Sequence, residues 1–121
     1  MPSAVALEIQ SFRLPQWISV HDSYEPPGMQ PFRMNLGRGE TEAIWLSIRL
    51  PADQLIMDDE DARAEARRQG ILVTGTLGIL LRAKQTALFS SIRKEMDALR
   101  AAGFHISKRV YNELLMRAGE D

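Results

Sequence analysis

The sequence predicts an α/β fold in which helices cover both faces of a mainly parallel sheet. Two short apolar runs, 54–57 and 71–73, have the length and composition of buried strands. Helical patterns surround them at 40–50, 58–69 and 76–86. Because apolar strands separated by helices are typical of parallel sheets buried on both faces, the middle of the chain predicts that arrangement.

Length and composition restrict the class of protein. The 121 residues suit one domain, so we predict a single domain over 1–121. The net charge is −1 and cysteine is absent, which excludes disulfides and thiolate metal sites. The apolar runs are shorter than the ~18 residues that span a bilayer, and residues 1–10 lack signal-peptide features. We therefore expect a cytoplasmic protein without membrane contact.

The N-terminal third predicts one helix, one strand and a long loop. Pro2 suits the first position of a helix over 2–10. The β-prone residues 17–20 (Trp-Ile-Ser-Val) predict a short strand, and we expect Trp17 to lie in the core. A loop over 22–39, rich in proline and glycine, follows, and loops of this length are often functional.

The C-terminal part predicts two amphipathic helices after the last strand, over 90–102 and 107–118. Ser107 is the expected N-cap of the second helix, and Gly70 is the expected C-terminal glycine of the helix over 58–69. The apolar stripes of the last two helices need cover, either from this sheet or from a second copy of the chain.

Acidic residues cluster where a parallel sheet binds its ligands. Asp58 and Asp59 come directly after the first apolar strand, Glu40 and Glu42 begin the helix before it, and Glu8 closes the first helix. Ligands of parallel sheets bind at the carboxyl ends of the strands, and Mg²⁺ and Mn²⁺ choose oxygen ligands. Acidic residues are equally the ordinary N-caps and first-turn residues of helices, so both interpretations stay open.

Three basic residues on the helices predicted over 58–69 and 76–86 are candidates for contact with phosphate groups. They are Arg63, Arg82 and Lys84. The alternative is that they form solvated helix faces. The overall charge does not favour nucleic acid, so RNA binding would need a local basic patch.

Five segments, taken in order, resemble one sequence pattern. PSAVALEI at 2–9 resembles P-x-A-V-x-x-E-L, and GETEAI at 39–44 resembles G-E-A-E-A-I. LIMDD at 55–59 with the following Ala-Arg resembles L-L-I-D-D-x-x-A-R. VTGTLGILLRAK at 73–84 resembles V-x-G-T-L-G-x-L-L-x-A-K, and AGFHIS at 102–107 resembles x-G-F-x-I-S. The pattern is that of a prokaryotic branch of the PIN-domain superfamily related to VapC-type toxin ribonucleases.

The resemblance implies a PIN-like three-layer α/β/α fold and a Mg²⁺ or Mn²⁺ site that serves endoribonuclease chemistry. It also implies a homodimer and, in many relatives, a toxin paired with an antitoxin. Glu8 matches the family's helix glutamate. Glu40 matches the acidic residue of the glycine–glutamate turn, with Glu42 as a second candidate. Asp59 matches the strand-end aspartate, with Asp58 beside it.

The chain departs from the family pattern at its start. The family begins with a strand that ends in an aspartate, followed by a helix and a second strand, before the helix that Glu8 closes. Asp22 does not replace that aspartate, because it follows the helix rather than preceding it. We therefore expect a PIN-like domain without its first strand-helix-strand and with reduced or absent activity. The alternative function is a non-catalytic PIN protein that dimerises or binds a partner.

Overall fold

A computed structural model of the chain describes residues 1–9 and 13–121. Within them, helices and two short strands follow one another in the order α1 (Ser3–Glu8), α2 (Arg38–Arg49), β1 (Leu55–Ile56), α3 (Glu60–Arg68), β2 (Val73–Thr74), α4 (Thr76–Gln85), α5 (Ile92–Ala101), α6 (Lys108–Arg117). The chain forms two compact units, Met1–Thr74 and Gly75–Asp121. The predicted single domain over 1–121 and the predicted loss of an N-terminal strand-helix-strand stay predictions.

The sheet is parallel, as the sequence predicts. β1 and β2 pair with Leu55 opposite Val73. The amides of Leu55 and Met57 donate to the carbonyls of Leu72 and Thr74, each at 2.8 Å. α3 connects the two strands, which is the crossover that parallel neighbours require. The α/β class with a parallel sheet and two C-terminal helices is therefore confirmed.

The core of the first unit lies between α2, the sheet and α3. On α3, Ala62 and Ala66 are both fully buried, and their small side chains let the helix pack closely on its neighbours. Gly70 follows α3 with a φ of +82°, which confirms the predicted C-terminal glycine. The buried apolar residues of this core are Ala43, Ile44, Leu55, Met57, Ala62 and Ala66.

The second unit is a three-helix arrangement with its own core. Ile92 and Met96 on α5 are fully buried, as the predicted apolar stripe requires. The Ser107 hydroxyl accepts the Val110 amide at 3.2 Å, so the predicted N-cap of α6 is confirmed. The buried residues of this core are Leu81, Ile92, Met96, Ile106, Tyr111, Leu114 and Leu115.

The strand predicted over 17–20 is wrong. Residues 17–20 form no strand, and the neighbouring His21 makes an isolated parallel bridge with Pro2. In this bridge the His21 amide donates to the Met1 carbonyl at 2.8 Å, and the Ser3 amide donates to the His21 carbonyl at 3.0 Å. Trp17 is 83% exposed, so its predicted place in the core is also wrong. β-prone residues form a strand only when a neighbouring strand accepts their backbone hydrogen bonds. The first helix ends earlier than predicted, and residue 10 lies outside the described residues.

Candidate functional site

Glu42 connects the first two helices. Its side chain is buried, its Oε1 accepts the Ala4 amide at 3.3 Å, and its Oε2 accepts the Arg38 Nε at 2.8 Å. The residue at the N-cap of α1, Pro2, makes no side-chain capping bond. Glu42 therefore caps α1 from the neighbouring helix, and both of its oxygens already have partners.

Two glycines at the start of α2 leave room for the side chains of Glu8 and Glu40. A Cβ added at Gly39 would lie 3.0 Å from Glu8 Oε1 and 3.5 Å from Val5 Cγ2, so Gly39 allows α1 to pack closely on α2. A Cβ at Gly37 would collide with the carboxylate of Glu40, which folds back over this turn. The glycine–glutamate turn thus has a packing role in the first unit.

Asp59 is the N-cap of α3. Its Oδ1 accepts the Ala62 amide at 2.8 Å, which is the ordinary capping geometry. Asp58, beside it, is exposed at the carboxyl end of β1. The capping interpretation that the sequence left open is therefore realised at Asp59.

The carboxylates as positioned do not fit a metal site. Across residues 1–9 and 13–121, no three His, Cys, Asp or Glu side chains converge closely enough to hold an ion. Glu42 uses both oxygens within the protein, and Asp59 uses one. The residues predicted to bind Mg²⁺ or Mn²⁺ form no such group within the described ranges, and their metal-binding roles stay predictions; they are Glu40, Glu42, Asp58 and Asp59. The catalytic roles predicted for Glu8, Glu40 and Asp59 stay predictions.

The basic residues predicted to contact RNA have different surroundings. Lys84 Nζ donates to the Ser90 carbonyl at 2.5 Å and lies 3.2 Å from Glu120 Oε2, so this ammonium is engaged within the second unit. Arg63 has a buried Nε without a hydrogen-bond partner among the described residues. Arg82 is exposed in the last turn of α4. Contact of these three residues with RNA stays a prediction.

Glu120 is a structural carboxylate that was not among the residues predicted from the sequence. It accepts the Ile92 amide at 2.6 Å and the Ser91 hydroxyl at 3.1 Å, at the N-terminus of α5. The hydrogen bond from the Ile92 amide is the main reason that the pKa of Glu120 falls to about 2, with Lys84 adding to the effect against the opposing influence of burial. Ile92 and Glu120 are 28 positions apart, so no local pattern indicates the contact.

Glu65 anchors the long loop to α3. It is only 2% exposed, and its Oε1 accepts hydrogen bonds from the amides of Arg33 (2.5 Å) and Met34 (3.1 Å). Its Oε2 accepts a hydrogen bond from Arg68 Nη2 at 2.8 Å. Burial raises the pKa of Glu65, but the hydrogen bonds from Arg68 and the two amides outweigh it and lower the pKa. The signal in the sequence was helical spacing, since Glu65 falls three positions after the buried Ala62.

Comparison with known proteins identifies the family. A family model, DUF3368, described as a PIN domain, matches residues 2–120. The chain belongs to the PIN-domain family. PIN domains have a nuclease-type fold and generally use divalent metals. No match was found among curated proteins or among solved structures.

All five predicted carboxylates of this PIN domain lie in its first unit, whereas Arg82 and Lys84 lie in the second. In the described part of the chain, none of the helices is long and apolar enough to cross a membrane. The relation to VapC-type toxins, the antitoxin, the homodimer and the cytoplasmic location stay predictions.

Proposed function

We propose that this PIN domain acts as a partner-binding protein rather than as a metal-dependent nuclease. The observation that supports this most directly is the bonding of Glu42, whose two oxygens accept the Ala4 amide and the Arg38 guanidinium. Each carboxylate oxygen keeps a second lone pair, but the two donors fix the orientation of the carboxylate toward α1 and Arg38. Glu42 serves the packing of α1 on α2 instead.

Moving Glu42 to a metal would have a defined cost. The Ala4 amide is a buried donor in this contact, and leaving such a donor unsatisfied costs about 1–3 kcal/mol. The ion pair with Arg38 adds little, because the Arg38 side chain is 74% exposed and solvent screens it. The hydrogen bond from the Ala4 amide therefore holds the Glu42 carboxylate in place. A cation that bound this carboxylate would have to offset the loss of that hydrogen bond.

The second candidate function is a Mg²⁺- or Mn²⁺-dependent endoribonuclease, including a toxin held by an antitoxin. Family membership favours it. So does the position of Asp58 and Asp59 at the carboxyl end of β1, where ligands of parallel sheets bind. In that function Asp58, Asp59, Glu40 and Glu8 would supply oxygen ligands, while Arg63, Arg82 and Lys84 would contact the RNA backbone.

An RNA cleavage assay separates the two functions. The purified chain and Asp59→Asn are incubated with a fluorescently labelled single-stranded RNA, with millimolar Mn²⁺ or with a chelator. Asparagine caps a helix about as well as aspartate, so this variant removes the carboxylate and preserves the cap of α3. We expect equal background cleavage in all samples. Mn²⁺-dependent cleavage by the wild type that Asp59→Asn lacks would establish the nuclease and refute the proposal.

A further inference from the structure

The two units of the chain carry opposite net charges. Residues 1–74 contain 7 Lys and Arg against 11 Asp and Glu, a net charge of −4. Residues 75–121 contain 8 Lys and Arg against 5 Asp and Glu, a net charge of +3, so that the two units together give the −1 of the whole chain. The second unit is therefore basic within a slightly acidic protein, and a surface of one charge sign attracts partners of the other.

A hydrogen bond between Asp97 and Tyr111 marks the line along which α5 and α6 meet. The Tyr111 hydroxyl donates to Asp97 Oδ1 at 2.7 Å. The guanidinium carbons of Arg93 and Arg100 lie 5.9 and 4.2 Å from the centroid of the Tyr111 ring. Arg100 is held there by its hydrogen bond to the Ile106 carbonyl at 2.8 Å. Two cations therefore border the same line between the helices.

Two lysines extend this cationic line. Lys94 lies three positions before Asp97, and Lys108 lies three positions before Tyr111. Helical residues three positions apart are neighbours on one face. Both lysines are exposed, as are the two arginines beside Tyr111. The four exposed cations, here called the α5–α6 basic face, are Arg93, Lys94, Arg100 and Lys108.

The acidic residues of the second unit leave the charge of this face uncompensated. Asp97, the carboxylate on the line itself, accepts the Tyr111 hydroxyl. Glu120 accepts the Ile92 amide and pairs with Lys84 at 3.2 Å. Within residues 75–121, all of which the structure describes, no ion pair joins a cation of the face to a carboxylate. The face can therefore pair with carboxylates from outside the chain.

The composition of this surface favours a protein segment over RNA. Proteins that bind single-stranded nucleic acid combine cations with aromatic side chains on which the bases stack. The aromatic residues of the second unit are half-buried (Phe89 and Phe104) or buried (Tyr111). Met116, eight positions after Lys108 on the same side of α6, is 65% exposed. Arginine and methionine are both enriched in protein–protein interfaces.

We propose that the α5–α6 basic face binds an acidic helical segment of a partner protein. Arg93 and Arg100 are seven positions apart, which is about two helical turns or roughly 10 Å. Carboxylates seven positions apart on a facing helix would therefore reach both, and guanidinium groups pair with carboxylates in bidentate geometry. Apolar side chains of the same segment would cover Met116. This inference rests on the proposed partner-binding function and names the chemistry of the partner.

The test uses a fluorescein-labelled helical peptide of about 15 residues, with Glu and Leu at helical spacing on one side. A matched peptide has Gln in place of every Glu. Binding to the full chain is measured by fluorescence anisotropy at low and at physiological salt. Lys94→Glu/Lys108→Glu reverses two exposed cations of the face. Arg82→Glu/Arg117→Glu is the matched control, since it changes the net charge equally at exposed positions outside the face.

We expect saturable binding of the acidic peptide to the parent chain and to the control variant, weaker at the higher salt concentration. Binding to Lys94→Glu/Lys108→Glu should be at least about tenfold weaker, because two attractive charge pairs become repulsive. The Gln peptide should not bind. If the reversed variant does not fold, judged by circular dichroism, Lys94→Gln/Lys108→Gln decides the outcome, with an expected loss of about threefold against Arg82→Gln/Arg117→Gln.

Four results would overturn the inference. Absence of binding excludes the acidic segment, and equal binding of the Gln peptide excludes recognition of its charge. Equal weakening in both double variants means that only the net charge matters. Tighter binding of a single-stranded RNA of 15 nucleotides, lost in the face variant alone, makes the face a nucleic-acid surface. Mn²⁺-dependent RNA cleavage would refute the proposed function without changing peptide binding, so the two failures are distinguishable.

Discussion

Glu42 and Ala4, 38 positions apart, are joined by a hydrogen bond of 3.3 Å from the Ala4 amide to the Glu42 carboxylate. The bond satisfies a donor at the N-terminus of α1 that no side chain of its own segment caps. A glutamate that resembles a metal ligand in sequence is thereby part of the packing of two helices.

Replacement of Glu42 should destabilise the first unit. We expect Glu42→Ala to lower the free energy of unfolding by about 1–3 kcal/mol, because the buried Ala4 amide loses its acceptor. Glu42→Gln preserves an acceptor oxygen and should cost less. Urea denaturation followed by circular dichroism measures both, with the exposed Glu60→Ala as control. Equal stability of Glu42→Ala and Glu60→Ala would contradict the capping role.

Replacement of Glu65 should release the loop that it anchors. Glu65→Ala leaves the Arg68 guanidinium and the amides of Arg33 and Met34 without their acceptor, and breaking such a buried ion pair costs about 3–5 kcal/mol. We expect faster hydrogen exchange at the Arg33 and Met34 amides than in Arg67→Ala, a variant of an exposed neighbour. Unchanged protection at these two amides would show that the loop is held by other contacts.

Acid should weaken the contact between Glu120 and α5. The pKa of Glu120 in the folded protein, about 2, lies below the ordinary value of 4.5. Its contribution to stability is therefore complete above about pH 4.5 and is lost as the pH falls toward 2. We expect the NMR shift of the Ile92 amide to titrate with a midpoint near 2, and not to titrate in this way in Glu120→Gln. A midpoint near 4.5 would contradict the contact.

The N-cap of α6 should contribute to the free energy of unfolding as much as helix N-caps ordinarily do. Ser107→Ala removes the hydroxyl that accepts the Val110 amide, and we expect a loss of about 1 kcal/mol. Ser107→Asp preserves the acceptor and should retain most of the stability. Thermal unfolding of the two variants at neutral pH measures the difference. Equal melting temperatures of Ser107→Ala and the wild type would rule out the cap.

Local signals in the sequence predicted much of the fold. The apolar stripe of α5, the cap at Ser107 and the glycine after α3 follow from residues within one or two turns of each other. The strand predicted over 17–20 was wrong because β-prone residues form a strand only beside a neighbouring strand, which local sequence does not specify.

Glu42 and Asp59 could be selected from the sequence as candidates, whereas Glu120 could not, and only the partner of Asp59 was among the predicted alternatives. Asp59 bonds to an amide three positions away, and the sequence offered this cap as one of two interpretations. Glu42 and Glu120 bond to amides 38 and 28 positions away. Which amide a glutamate reaches over such a separation is set by the packing of helices, and spacing within a motif carries no information about it.

The melting temperature of the wild type and of Asp59→Asn, measured against increasing Mn²⁺ up to millimolar concentration, tests the structural role of these carboxylates most directly. A cation that binds only the folded chain raises the melting temperature by mass action. We predict the same small response in both proteins, because Glu42 and Asp59 are engaged by backbone amides. A saturable rise in the wild type that is absent from Asp59→Asn would contradict the account.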